Sequence, residues 1–360
     1  MSILIFIIIL SALIIVHELG HFLVARFFGI RVDEFGLGFP PRAAKLFTWK
    51  NTPFTLNWLP FGGFVKIFGE NPNSEEGDTT STESFISKNR AIQSSVLVAG
   101  VVGNFLFAWI LFSLGFMTGI PAPAGSFPTE NARTVITTVL PGSPAAEAGI
   151  RSGDAIVSLN AIGSSVTSGV TPEELSVFIA SSNDPLVFKI DRGGEVSEKT
   201  VIAERGIIGD RPAVGISMEV IGIVKLPAHK ALWQGFKTTS ELTVATAQAI
   251  GSFIFQAIGG KADLSGVTGP VGIVGMVGDA RELGFGYLLT FTALISINLS
   301  IINLLPFPAL DGGRLLFVGI ETVTRRTIPA KVANVANGIG FALLIFLMVL
   351  ITIQDVRNIF

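Results

Sequence analysis

Ile14-Ile15-Val16-His17-Glu18-Leu19-Gly20-His21-Phe22-Leu23-Val24 decides how the rest of this chain is read. It lies in an apolar run from Ile3 to Phe28 that is otherwise broken only by Arg26. Ionisable residues inside a membrane span are expensive and rare, so their presence points to a site and not to packing. On a helix His17 and His21 stand one turn apart on one face, spaced to grip a single metal ion, with Glu18 placed to polarise a water held there. The chain has only three histidines, and this pattern uses two of them.

Composition agrees with a membrane setting. The 360 residues are 49% hydrophobic and 14% charged, against about a quarter charged in soluble chains, and mean hydropathy is +0.63. A net charge of -2 gives no reason to expect a nucleic-acid partner. Cysteine is absent. That excludes disulfides, a thiolate metal site and a cysteine nucleophile, leaving any metal to nitrogen and oxygen ligands.

About 20 apolar residues cross the hydrocarbon core as a helix. Four segments approach that length: Ile3 to Phe28, Ala91 to Met117, Tyr287 to Leu305 and Ala336 to Ile353. The first lacks a basic leader and a small-residue cleavage site, so it reads as a retained span and not as a signal peptide. A fifth stretch, Leu242 to Ile258, is Thr- and Ala-rich and reads as a helix lying in the interface. With four spans, the basic residues from Arg26 to Arg90 and from Arg314 to Lys331 fall on one side, the cytoplasmic one, and the termini and the central segment face outward. The expected organisation is a first span over 1–28, a membrane-associated β-hairpin loop over 29–90 and a second span over 91–119. An extracytoplasmic α+β domain follows over 120–225, then an interfacial helix and loop over 226–284. A third span over 285–320, a cytoplasmic loop over 321–335 and a fourth span over 336–360 complete it.

A catalytic zinc needs a third protein ligand and an open position. His229 lies outside any span and reads as a surface residue. Asp311, in Asn303-Leu-Leu-Pro306-Phe-Pro308-Ala-Leu310-Asp311-Gly312-Gly313, is the better candidate, although a capping aspartate in a Gly-Gly turn is an alternative reading. Depth favours the ligand. At 1.5 Å per residue His17 lies roughly 21 Å down the first span, and Asp311 reaches the same cytoplasmic third from an outside start near Tyr287. Pro306 and Pro308 break the helix there, and irregular backbone at membrane depth requires protein or a water-filled cavity around it. Asn104 and Asn303 read either as polar glue between helices or as groups beside the metal.

The first loop carries Gly36-Leu-Gly38-Phe39-Pro40 and Leu59-Pro60-Phe61-Gly62-Gly63-Phe64 around strand-like alternation at Phe54 to Trp58. A free strand edge here would pair with an unwound substrate, while an anchoring hairpin is the alternative. In the central domain, Leu140 to Asn160 reads as strand, short helix, tight turn and strand, with no catalytic constellation. It reads as a binding module.

Together these motifs resemble the site-2 protease family of intramembrane metalloproteases, in the bacterial branch of the regulator-of-sigma-E protease. The resemblance covers nearly the whole chain. It rests on H-E-L-G-H, on Gly100 with Asn104, and on N-L-L-P-F-P-A-L-D-G-G from 303 to 313. It implies one zinc ion per chain held by His17, His21 and Asp311, with Glu18 as general base and Asn303 on the substrate backbone. Asn104, Gly62 and Gly63 join Asn303 as expected substrate contacts. It also implies a membrane-associated hairpin over Gly36 to Lys66 and a gating amphipathic helix over Leu232 to Gly260. The central domain, through S-P-A-A-E-A-G-I-R-S-G-D-A-I, resembles a PDZ module that takes a peptide carboxyl terminus, with Val214-Gly215-Ile216 as its strand. The best-known relatives carry two such modules, and here there is room for one. Implied substrates are transmembrane segments of other proteins, such as a single-span anti-sigma factor or a leftover signal peptide, in a bacterial inner membrane. Two rivals remain at this stage: a membrane metalloprotease with a glutamate third ligand, and a non-catalytic scaffold, for which Glu18 would have no purpose.

Overall fold

A computed structural model describes residues 1–70, 81–124, 130–161, 164–167, 171–182, 184–208, 211–261 and 267–359. In chain order it runs α1 (Ser2–Phe27), β1 (Val32–Trp49), β2 (Thr52–Ile67), α2 (Arg90–Thr118), β3 (Ile120–Pro123), β4 (Glu130–Val139), α3 (Pro144–Glu147), β5 (Ala155–Ala161), β6 (Ser164–Thr167) and α4 (Pro172–Ser181). It continues with β7 (Leu186–Arg192), β8 (Glu195–Val201), β9 (Glu204–Ile208), β10 (Arg211–Ala213), β11 (Ile216–Val224), α5 (Ala228–Ile258), α6 (Pro270–Leu283), α7 (Phe285–Leu304), α8 (Asp311–Thr324) and α9 (Ala330–Ile359). Two compact units result, one of Met1–Ser113, Leu232–Gly278 and Phe291–Phe360, the other of Leu114–Ala231 and Asp279–Thr290.

Among the described residues four helices are long and apolar enough to cross a membrane, namely α1, α2, α7 and α9. Their boundaries refine the sequence reading. The third apolar segment ends at Leu304, because Pro306 and Pro308 cannot continue a helix, and Asp311 opens a separate helix, α8. The fourth begins at Ala330, six residues ahead of the expected start, the extra residues including Lys331 and Asn334, which lower the hydropathy. The segment expected to lie in the interface is part of one continuous helix of 31 residues, α5, which is not among the four helices long and apolar enough to span. Helix α6 lies where only loop was expected, since Gly272, Gly275 and Gly278 lower its propensity.

In the first unit α7 docks on α2 through polar glue. Ser296 Oγ donates to the Asn104 carbonyl at 2.8 Å and Ser300 Oγ to the Val101 carbonyl at 2.9 Å. Strands β1 and β2 are long, irregular partners. Val32 to Leu37 pairs with Gly63 to Ile67, and Arg42 to Trp49 with Thr52 to Asn57. The turn between them has Lys50 and Asn51 both at positive φ, the geometry that matches the twist of a two-residue hairpin. Phe54 stacks on Phe35 and Phe47, with ring centroids 4.8 and 4.5 Å apart. Behind the strands Phe22, Ile30, Phe35, Val96 and Val318 form a buried cluster that ties them to α1, α2 and α8.

The second unit is built on a seven-stranded sheet in the order β3-β11-β4-β5-β7-β8, with β6 paired to β5. Ile136, Leu159, Leu175, Leu186, Phe188 and Ile190 make its core, each worth about 1.5–3 kcal/mol of burial. Helix α4 starts at a capping box in which Thr171 and Glu174 satisfy each other's backbone N–H. Asp154, fully buried, receives Nε and Nη2 of Arg192 at 2.6 and 2.8 Å, a two-pronged pair that fixes the turn before β5 to the end of β7. The strand, short helix, turn and strand expected over 140–160 correspond to the end of β4, α3 and β5.

Candidate metal centre

The site grows from the contact between α1 and α2. Gly100 of α2 faces the two imidazoles of α1 so closely that a Cβ there would lie 2.4 Å from His21 Nε2 and 2.8 Å from His17 Nε2. Glycine at this position therefore makes room for the histidine pair; from the sequence it read as a helix-packing residue. Both histidines are buried, each 7% exposed. Asp311, at the first position of α8, brings Oδ2 to 2.9 Å from His17 Nε2 and 3.2 Å from His21 Nε2. The two Nε2 atoms are themselves 3.2 Å apart. Among the described residues these are the side chains of metal-ligating type that converge closely enough to hold an ion.

The surroundings of the imidazoles say which nitrogens are free. His21 Nδ1–H donates to the Val96 carbonyl at 2.8 Å, so its Nε2 carries a lone pair toward Asp311. The Asn104 amide lies 3.3 Å from His17 Nδ1, and its Oδ1 is buried without a partner. A half-turn of the Asn104 amide, which changes no shape, brings Oδ1 to His17 Nδ1–H and bares Nε2 as well. In that arrangement two imidazole nitrogens and a carboxylate oxygen, 2.9–3.2 Å apart, form a nitrogen–oxygen donor set that could hold a metal ion. A four-coordinate zinc with ligands at about 2.1 Å holds them about 3.4 Å apart, so the cluster fits zinc with an adjustment of a few tenths of an ångström.

Glu18 projects into a cavity of about 190 Å³ that it lines with His21, Phe64, Val65, Ile67 and Asp311. The edge of β2 therefore borders the site. At Gly63 a Cβ would stand 3.6 Å from Glu18 Cγ. Gly62 sits one residue away at positive φ, packed on the Phe39 ring. Asn303, in the last turn of α7, is partly buried and has no hydrogen-bond partner among the described residues. Asn104 is fully buried beside His17, its amide 3.3 Å from His17 Nδ1. His229 is exposed near the start of α5 and takes no part in the cluster.

Membrane-length helices that carry a buried H-E-x-x-H pair, completed by a carboxylate from a later helix, define a polytopic membrane metallohydrolase. Peptidase family M50 matches residues 5–347. A Clostridium perfringens protein named as a candidate zinc metalloprotease is 37% identical over 353 residues, covering 96% of each chain. A Mesorhizobium japonicum protein of similar name is 33% identical over 366 residues, covering 95% of each. The zinc metalloprotease RasP of Geobacillus kaustophilus is 29% identical over 436 residues, covering 100% of this chain and 98% of its own. The chain belongs to peptidase family M50, the site-2 protease family, and is a zinc metalloprotease of that type.

Proposed function

We propose that this protease cuts transmembrane segments of other proteins inside the bilayer, with His17, His21 and Asp311 holding one zinc ion per chain. The observation that carries the reading is the meeting of three acceptor atoms beside Glu18, on a helix long and apolar enough to span. When bound, zinc supplies Lewis acidity that polarises the scissile carbonyl and acidifies water. Glu18 takes the proton of the attacking water and hands it to the leaving nitrogen. Asn104 and the Val96 carbonyl hold the imidazoles in the tautomer that leaves Nε2 free. Asn303 orients the substrate backbone. The edge of β2 from Gly63 to Ile67 takes the substrate as an added strand, which recognises backbone and not sequence. A helical substrate must first unwind, so small or helix-breaking residues near the cut favour cleavage.

The second unit serves as a PDZ-type module on the extracytoplasmic face, over residues 120–225. Support comes from an apolar groove of about 540 Å³ between α4 and residues 211–218, bordered by Val177, Ala180, Val214, Gly215 and Met218. A peptide ending in a free carboxylate fits that groove. The active centre lies toward the cytoplasmic side of a bacterial inner membrane. Its hairpin region spans 29–90, its interfacial helix and loop 226–284, and the natural substrates are single-span anti-sigma factors or leftover signal peptides.

The test uses purified full-length protein in lipid nanodiscs with a fluorescent single-span reporter. Wild type should cut within the span and carry one zinc ion, and Asp311→Ala should carry none. Cleavage confined to soluble parts of the reporter, or full zinc in the Asp311→Ala protein, refutes the reading.

A further inference from the structure

The loop between α7 and α8 sets where Asp311 stands, and its backbone donors can be followed one by one. Leu305 N–H donates to the Ile302 carbonyl, Phe307 N–H to Leu305 and Leu310 N–H to Phe307, while Pro306 and Pro308 have no N–H. Each of these bonds is local. The exception is Ala309, whose N–H donates to Asn337 Oδ1 of α9 at 3.1 Å. Ala309 also has φ of +76°, a strained left-handed conformation for a residue with a side chain. One turn further along α9, Gly340 is buried so tightly that a Cβ would lie 2.4 Å from the Pro308 carbonyl oxygen. Only 6% of the most apolar stretch of α9 is buried, so this helix is not held by general packing. Asn337 and Gly340 stand at i and i+3, on one face, and both meet the turn that ends two residues before Asp311.

We infer that Asn337 is a positioning residue for the metal centre: with Gly340 it clamps the strained Ala309 turn and so fixes the Asp311 carboxylate against His17 and His21. This rests on the reading of Asp311 as a ligand. The fourth span is then a working part of the site, although it supplies no group to it. Hydrogen-bond partners one step removed from a ligand typically change metal affinity 10- to 100-fold when lost. The Phe307–Leu310 bond closes the turn locally, and the Asn337 bond adds a hold from outside the loop, which makes the turn sensitive to α9.

The experiment follows zinc transfer from zinc-loaded full-length protein in nanodiscs to a colorimetric chelator, beside thermal melts of the same samples. Asn337→Leu and Gly340→Ala should each release zinc at least about tenfold faster than wild type. Asn337→Asp, which keeps an acceptor oxygen, should stay near the wild-type rate. Ala309→Gly, which relaxes the strain, should restore slow release in the Asn337→Leu background. Wild-type release from both Asn337→Leu and Gly340→Ala overturns the clamp, as does an Asn337→Asp protein as fast as Asn337→Leu. An Asp311→Ala arm separates the two levels. If it loses zinc while Asn337→Leu keeps it, the clamp alone fails; if it keeps zinc, the ligand reading fails and takes the clamp with it.

Discussion

Replacing Gly100 by Ala should disable the metal centre while leaving the protein folded. The added methyl would stand 2.4 Å from His21 Nε2, 2.7 Å from His17 Cε1 and 2.8 Å from His17 Nε2. Unbonded heavy atoms settle near 3.5 Å, so the rings must retreat by about 1 Å. Neither can do so freely, because His21 is tied to the Val96 carbonyl and His17 is backed by Asn104. A misplacement of about 1 Å at a reacting centre costs on the order of 100-fold in rate. Helix propensity acts in the opposite direction: alanine favours a helix interior over glycine by about 1 kcal/mol. Forcing the methyl against the rings costs about 1–3 kcal/mol, so the variant should melt at most modestly below metal-free wild type, bind less than one zinc per chain and cleave a transmembrane reporter about 100-fold more slowly. Zinc content by mass spectrometry, a melt and a cleavage time course decide the matter. Full zinc with cleavage within threefold of wild type would refute the steric argument, and a collapsed melt would show that the glycine serves helix packing.

Glu18→Gln should lower cleavage by about 10²–10⁴-fold with zinc content unchanged, since Glu18 is outside the ligand set; loss of zinc in that variant would contradict its role as a base. Asn104→Leu should weaken zinc binding about 10- to 100-fold, whereas Asn104→Asp, which can accept from His17 Nδ1–H, should keep it; equal affinities by competition titration would remove Asn104 from the site. Asp154→Ala strands the Arg192 guanidinium and should cost the second unit about 3 kcal/mol, read as a lower melt with zinc content intact. An unchanged melt would mean that the pair adds nothing to that fold.

Much of this architecture was legible because long apolar runs and i, i+4 histidines are local signals. The apolar runs anticipated α1, α2, α7 and α9 within a few residues at most ends. A count of depth along two helices anticipated that Asp311 would stand level with His17 and His21. What stayed hidden depends on neighbours distant in the chain. Gly100 looks like any small residue in a helix until the rings opposite it are placed. The Val96 carbonyl has no signature at all, since every residue carries one. Asn104 is visible as a lone amide, yet nothing in the sequence places it, fully buried, against His17. Helix α6 was missed because its glycines argue for loop, and its N-terminus is held by Asp355 of α9, which accepts N–H groups of Gly269 and Gly272 at 3.1 and 2.8 Å.

His17 and Asp311 are separated by 294 positions along the polypeptide. During synthesis the histidine pair is therefore made long before the carboxylate that stands beside it. A chain made only as far as its first helices holds the two imidazoles without the carboxylate. The cluster cannot assemble until the segment bearing Asp311 has been made and has met the first helix.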